Sequence, residues 1–223
     1  MKKLEERKDV GRALSPEEQR RLLDCLATSK SPILRTIVPM LLLTGMRAGE
    51  AISLRWVQVD LLAGTITVGR AKTSNGTGRV IPINDDLAHV LANHRAWFVE
   101  RFGEPLPDHC VFPWGPGEPT DPTRHAAQLK RSWGELRKRS GVSCRLHDLR
   151  HTFATGMAER GVSEGTMLAL MGHMSRAMLE RYSHIRMTAK RDAVAGAMLR
   201  PKTENSGVVP VEVPVVAATL RPQ

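Results

Sequence analysis

The segment His147-Asp148-Leu149-Arg150-His151-Thr152-Phe153-Ala154-Thr155 sets two imidazoles and one guanidinium within five residues. The spacing predicts a helix from Leu146 to Arg160. At about 3.6 residues per turn, His147 and Arg150 then share one face, and His151 stands a turn beyond His147. Downstream, helices are expected over Ser163 to Met171, Ser175 to Tyr182 and Thr188 to Leu199; upstream, one is expected over Pro122 to Ser140. The Gly- and Pro-rich stretch from Gly103 to Pro122 reads as a long loop. Ahead of it the helical period returns between Asn84 and Phe102 through Leu87, Val90, Leu91, Trp97 and Phe98.

Nearer the N-terminus the pattern changes to short strands. Val57, Val59 and Leu61 alternate, Gly64 breaks the run, and Thr65-Ile66-Thr67-Val68 and Arg79-Val80-Ile81-Pro82-Ile83 follow. Lys72 falls where the second strand gives way to a turn at Asn75-Gly76. Two helices precede the strands. Ser15-Pro16-Glu17-Glu18 is a cap, a first-turn proline and a capping-box glutamate. Ser31-Pro32 repeats the signal, and Gly45 ends the second helix before a short one carrying Glu50. The fold class expected is mainly α with a small three-stranded antiparallel β-sheet (α+β). Residues 1–13 are a polar lead-in, 14–199 one domain, and 200–223 a Val/Pro-rich tail.

Composition bounds the chemistry. The chain has 223 residues, 41% of them apolar, which is ample for a core. No apolar run approaches the roughly 20 residues of a membrane span. No hydrophobic segment follows the charged start, so a secretory signal is not expected. Cys25, Cys110 and Cys144 are odd in number and far apart, which argues against a disulfide framework or a C-x-x-C metal site. The expectation is a soluble, reduced, cytoplasmic protein. Its net charge of +10 points toward polyanions. Between Arg124 and Arg150 there are eight Lys and Arg (Arg124, Lys130, Arg131, Arg137, Lys138, Arg139, Arg145, Arg150) against two acids. Such a cluster, with Arg79, suits a surface facing DNA phosphates.

Four segments concentrate phosphate chemistry. In Thr44-Gly45-Met46-Arg47-Ala48-Gly49-Glu50, an arginine at a helix start can grip two phosphate oxygens while Glu50 orients it. Lys72 at a hairpin tip can act as a general acid. His147-Asp148-Leu149-Arg150-His151 imitates the zinc motif H-E-x-x-H. The shorter aspartate, the cation at Arg150 and the lack of a third ligand argue against a metal, and His151 reads as structural. Leu170-Met171-Gly172-His173 and Arg181-Tyr182-Ser183-His184 complete the set, with Tyr182 the only phenol in the chain.

Taken in order, Arg47, Lys72, His147, Arg150, His173 and Tyr182 resemble the six-member signature of the tyrosine recombinases, the phage integrase family. The strings T-G-M-R-A-G-E, A-K-T, R-V-I-P-I, H-D-L-R-H-T-F-A-T, L-M-G-H and R-Y-S-H are similar to that family too, from about Leu14 to about Ala195. The resemblance implies the catalytic fold of DNA breaking-rejoining enzymes. It also implies a reaction without metal, ATP or other cofactor, in which Tyr182 attacks a phosphodiester of double-stranded DNA and forms a 3′-phosphotyrosyl link. Arg47 and Arg150 would clamp the non-bridging oxygens, Lys72 would protonate the leaving 5′-oxygen, His147 would serve as base or shuttle, and His173 would donate to the phosphate. Glu50 and His151 would support them, and a tetramer would assemble on DNA.

One departure is that only about 13 residues precede the pattern, where family members usually carry a core-binding domain. An isolated domain, a truncated gene and a natural short form all fit, and weak, salt-dependent DNA binding is expected. The tail at Val208 to Val216 could dock on a neighbouring copy. A type IB topoisomerase-like activity and an inactive DNA-binding remnant are the rival readings.

Overall fold

Ser15 caps the first helix by accepting the Glu18 amide, while the Glu18 carboxylate takes the Ser15 amide at 3.0 Å. With Pro16 in the first turn, this capping box starts α1 (Pro16–Ala27) where the sequence predicts it. Ser31 caps α2 (Pro32–Thr44), which ends at Gly45 with φ 62°. Glycine is required there twice over. The left-handed backbone disfavours a side chain, and a Cβ would lie 2.4 Å from the Phe153 ring.

The structure is a computed structural model describing residues 11–69, 77–115, 117–127 and 129–172, with the single positions 180, 182, 185, 187, 191, 194 and 195. After α3 (Ala48–Ile52) and a single 3₁₀ turn come β1 (Val59–Asp60), β2 (Thr65–Thr67) and β3 (Val80–Pro82), an antiparallel sheet in that order. Ile66 pairs with Ile81, and both side chains are buried. The 3₁₀ turn at Trp56–Gln58 takes the place of the start of the expected first strand. Next are α4 (Asp85–Phe102), β4 (Pro113–Trp114), β5 (Asp121–His125), α5 (Lys130–Ser140), α6 (Leu146–Glu159) and α7 (Glu164–Met171).

The region between α4 and α5 departs from expectation. β4 and β5 form a second, two-stranded antiparallel sheet, and α5 begins at Lys130, eight residues after the expected Pro122. Pro122 has no N–H to give a ladder, but its carbonyl accepts the Cys110 amide at 2.7 Å, and Phe112 takes that of Ala126 at 2.7 Å. The Arg124 guanidinium covers the Trp114 ring at 4.5 Å, a contact between strands that a Gly/Pro count does not reveal.

α2 lies at the centre, packed on α6 and α4, while α1 packs on α5. Its near-continuous apolar sequence suits burial on all sides: Leu34, Ile37, Val38, Met40 and Leu41 are fully enclosed. A smaller cluster gathers Ala154, Ala158, Met167, Met171 and Tyr182. Packing α6 on α2 therefore brings Arg150 to the end of α2, where Gly45 turns the chain toward Arg47. The three cysteines are free, and among the described residues no helix is long and apolar enough to cross a membrane.

Candidate active site

Arg47 precedes α3, and Glu50 one turn later folds back on it. The Glu50 carboxylate accepts the Arg47 amide at 3.0 Å and its guanidinium at 2.8 Å. The same carboxylate takes Nη2 of Arg79 at 2.5 Å, and Nε of Arg79 donates to the Leu170 carbonyl at 3.0 Å. Burial by itself would raise the Glu50 pKa. Hydrogen bonds from Arg79 and Arg47 outweigh it and hold the group below the ordinary carboxylate value. Arg47 keeps part of its surface open, whereas Glu50 and Arg79 are enclosed.

Arg150 is 2% exposed. Its Nη1 donates to the Gly45 carbonyl at 2.5 Å and to the Met171 carbonyl at 2.9 Å, both at helix C-termini where carbonyls lack partners. Burial, then the nearby Arg47, lower its pKa to about 10, and it remains a cation at neutral pH. His147 stands at the surface of the same helix, its ring edge-on to His151 at 5.0 Å. Partial desolvation, followed by the cations Arg150 and Arg145, lowers its pKa, which favours the neutral ring that can accept a proton.

Tyr182 is 2% exposed, and its Oη lies 2.9 Å from Nδ1 of His151. The phenol can donate to that nitrogen when the ring carries its own proton on Nε2. The N-terminal segment backs this contact. Leu14 donates its amide to Thr152 Oγ1 at 2.9 Å, and a Cβ on Gly11 would sit 2.1 Å from the His151 ring.

Six expected site residues thus converge: Arg47, Glu50, His147, Arg150, His151 and Tyr182. Lys72 and His173 lie outside the described residues, as do the tail, residues 1–10, the Asn75-Gly76 turn and most of the two expected C-terminal helices. Of the expected DNA-facing cations, Arg124, Lys130, Arg131, Lys138 and Arg139 are exposed. Arg137 donates to the Cys144 carbonyl and Arg145 pairs with Asp148 at the start of α6, so both are partly committed. Arg79 departs from expectation, because it is buried inside the site and not on a DNA-facing surface. The reason was present in the alternation, since Arg79 shares the inward face with Ile81 while Val80 and Pro82 point out. His151, expected to be structural, is the ring that touches the phenol. Among the described residues no group of three or more His, Cys, Asp or Glu is arranged to hold a metal ion.

Two arginines, two imidazoles and a buried phenol beside one carboxylate can between them hold an anion and move a proton. Residues 12–189 match the phage integrase family, and the chain belongs to it. It is similar to the integrase of Salmonella phage P22, 29% identical over 180 residues, covering 78% of this chain and 44% of that protein. It also resembles the XerA tyrosine recombinase of Pyrococcus furiosus, 28% identical over 195 residues, covering 86% of this chain and 64% of the relative. The chain therefore spans less than two thirds of these curated relatives. The fold matches the catalytic domain of bacteriophage HP1 integrase with a TM-score of 0.57 at 24% identity, covering 84% of this chain and 96% of that one.

Proposed function

We propose that this chain cleaves and rejoins double-stranded DNA at specific sites through a 3′-phosphotyrosyl intermediate, as a site-specific tyrosine recombinase or integrase. The observation that carries the reading is the convergence of Arg47, Arg150 and the Tyr182–His151 pair from three separate segments. Family membership supports it, and the matched relatives are integrases and recombinases.

Tyr182 Oη attacks the scissile phosphorus, the phosphorus–O5′ bond breaks, and the tyrosyl ester keeps the energy of the broken bond. The phenol, with an ordinary pKa near about 10, must lose its proton, and His151 faces the oxygen that holds it. His147, neutral and exposed beside it, serves as shuttle. Arg150 and Arg47 meet the non-bridging oxygens and offset charge growing in the transition state. Lys72 protonates the leaving 5′-oxygen and His173 donates to the phosphate. Because the phenol is buried at rest, it must be uncovered before a phosphate reaches it. One tyrosine per chain makes one covalent link, so exchanging four strands between two duplexes takes four copies, a tetramer on DNA.

The test is a pool of nicked duplexes randomised around the nick, from which covalent protein–DNA adducts are trapped in detergent. Wild type should give an adduct that disappears with Tyr182→Phe and persists with Cys144→Ser. A pool that yields no adduct with wild type would sink the proposal.

A further inference from the structure

Arg79 occupies a position that the cleavage scheme leaves unassigned. We propose that it is a positioning residue for DNA cleavage, a buried guanidinium that fixes Glu50, and through it Arg47, to the C-terminal turn of α7. The inference rests on the reading of the chain as a DNA-cleaving enzyme.

Three sets of contacts converge on it. Its Nη2 donates to Glu50 Oε2 at 2.5 Å, while Oε1 of the same carboxylate holds Arg47 at 2.8 Å. Its Nε donates to the Leu170 carbonyl at 3.0 Å, and the next carbonyl along, that of Met171, receives Arg150 at 2.9 Å. Its backbone closes the base of a strand pair, with the Val68 amide donating to the Arg79 carbonyl at 2.9 Å and the Gly78 amide to the Val68 carbonyl at 2.8 Å. One side chain thus links the turn before α3, the end of α7 and the root of β3. A lysine could not do this, because one ammonium cannot reproduce the rigid fork that meets a carboxylate and a carbonyl at once.

The charge pattern gives the arrangement a purpose. Arg47, Arg79 and Arg150 surround the single carboxylate of Glu50. Arg79 occupies one carboxylate oxygen from the buried side and leaves Arg47 gripped on the open side, facing where a phosphate would arrive. With Arg79 removed, Glu50 can swing toward Arg47 and the clamp loses its fixed aim. A displacement of about 1 Å at such a clamp costs on the order of 100-fold in rate.

The decisive comparison is with a cation that merely contacts DNA. Wild type, Arg79→Met, Arg79→Lys, Glu50→Gln and the Arg79→Met/Glu50→Gln double variant are compared on a duplex selected from the nicked pool. Single-turnover cleavage is measured at saturating DNA, with Kd and its salt dependence measured separately. Arg79→Met should slow cleavage by roughly 10- to 100-fold, while Kd stays within about twofold and the salt slope is unchanged. Arg79→Lys should recover part of the rate, and the double variant should be no slower than the worse single one. On a scissile methylphosphonate, which lacks one non-bridging charge, the Arg79→Met deficit should shrink. A purely structural defect would slow both substrates equally. Wild-type cleavage by Arg79→Met would overturn the proposal, as would multiplying single effects, an undiminished deficit on methylphosphonate, or lost affinity with a flatter salt slope. If Arg79→Met does not melt as a folded protein, Arg79→Lys decides by the same readings. A wild type that forms no adduct overturns the functional reading itself, whereas deficits against an active wild type bear on Arg79 alone.

Discussion

Arg150 and Arg131 carry the same guanidinium in opposite settings. Arg150 is 2% exposed and donates to the carbonyls of Gly45 and Met171. The Arg131 side chain is 95% exposed and reaches Glu135 at 3.3 Å within its own helix. Burying a cation is costly, and two helix-end carbonyls offset that cost only because the chain ends α2 and α7 beside each other. What results is a donor whose direction is fixed before any ligand arrives. Arg131 has no such direction. It adds to the field that draws in a polyanion and is screened by salt. Under the proposed function, the two settings separate two tasks, aiming at one phosphate and holding many.

The comparison would break first at Arg150. Arg150→Lys keeps the charge but loses the planar fork whose Nη1 alone meets both carbonyls. Single-turnover cleavage should fall by on the order of 10²–10³-fold, with little change in Kd. If affinity fell instead of rate, burial would not have made Arg150 a different kind of arginine. His151→Gln should come next, with a loss of roughly 10- to 100-fold near pH 7. Its rate should climb as pH rises toward the phenol's own pKa, because hydroxide then replaces the lost base; a pH profile parallel to wild type would remove His151 from the proton path. Arg131→Gln should do least to cleavage. It should leave the rate at saturating DNA intact, weaken binding a few-fold, and flatten the slope of log K against log salt by about 0.9 if it meets one phosphate.

Most of the helical frame is legible in the sequence because its signals are local. Ser15, Glu18, Ser31 and Gly45 act within a few residues of themselves, and each does in the structure what its type and position imply. The convergence of Arg47, Arg150 and Tyr182 is not local, and only the likeness of the motifs to a family made it readable. The β4–β5 hairpin was hidden for a related reason. Its ladder is short, it contains Pro113 and Pro122, and much of its pairing runs through Cys110, Phe112 and Ala126 outside the strands. Arg79 departs from expectation because a charged residue at a strand edge reads as exposed, although its alternation with Ile81 points inward. The contact of His151 with the phenol is not legible in the sequence, because its partner lies 31 residues away.

The contrast between paired and exposed cations implies a third case, a buried basic group with too few partners, which must give up its charge. His94 is that group. It sits 3% exposed between Trp56, Trp97 and Phe112, its Nε2 within 2.7 Å of the Val111 carbonyl. Since a carbonyl only accepts, Nε2 carries the proton, and Nδ1 is left buried without a partner among the described residues. Burial, helped by the Arg35 cation, lowers its pKa to about 4. The unfolded imidazole titrates near about 6.5, so between roughly pH 6.5 and 4 the unfolded chain binds a proton that the folded chain refuses. Stability should therefore fall as pH drops through that window. The Glu18 carboxyl, lowered from 4.5 to about 2 by Arg12, adds to the loss mainly at the window's lower end and below, where the unfolded carboxyl takes up a proton. His94→Phe keeps the aromatic packing and loses the bond to Val111. Its melting temperature should be lower at pH 7 and change less than wild type between pH 6.5 and 4. Equal pH slopes in the two proteins would mean that His94 is not the group that titrates, and that an unpaired base can be buried here without cost.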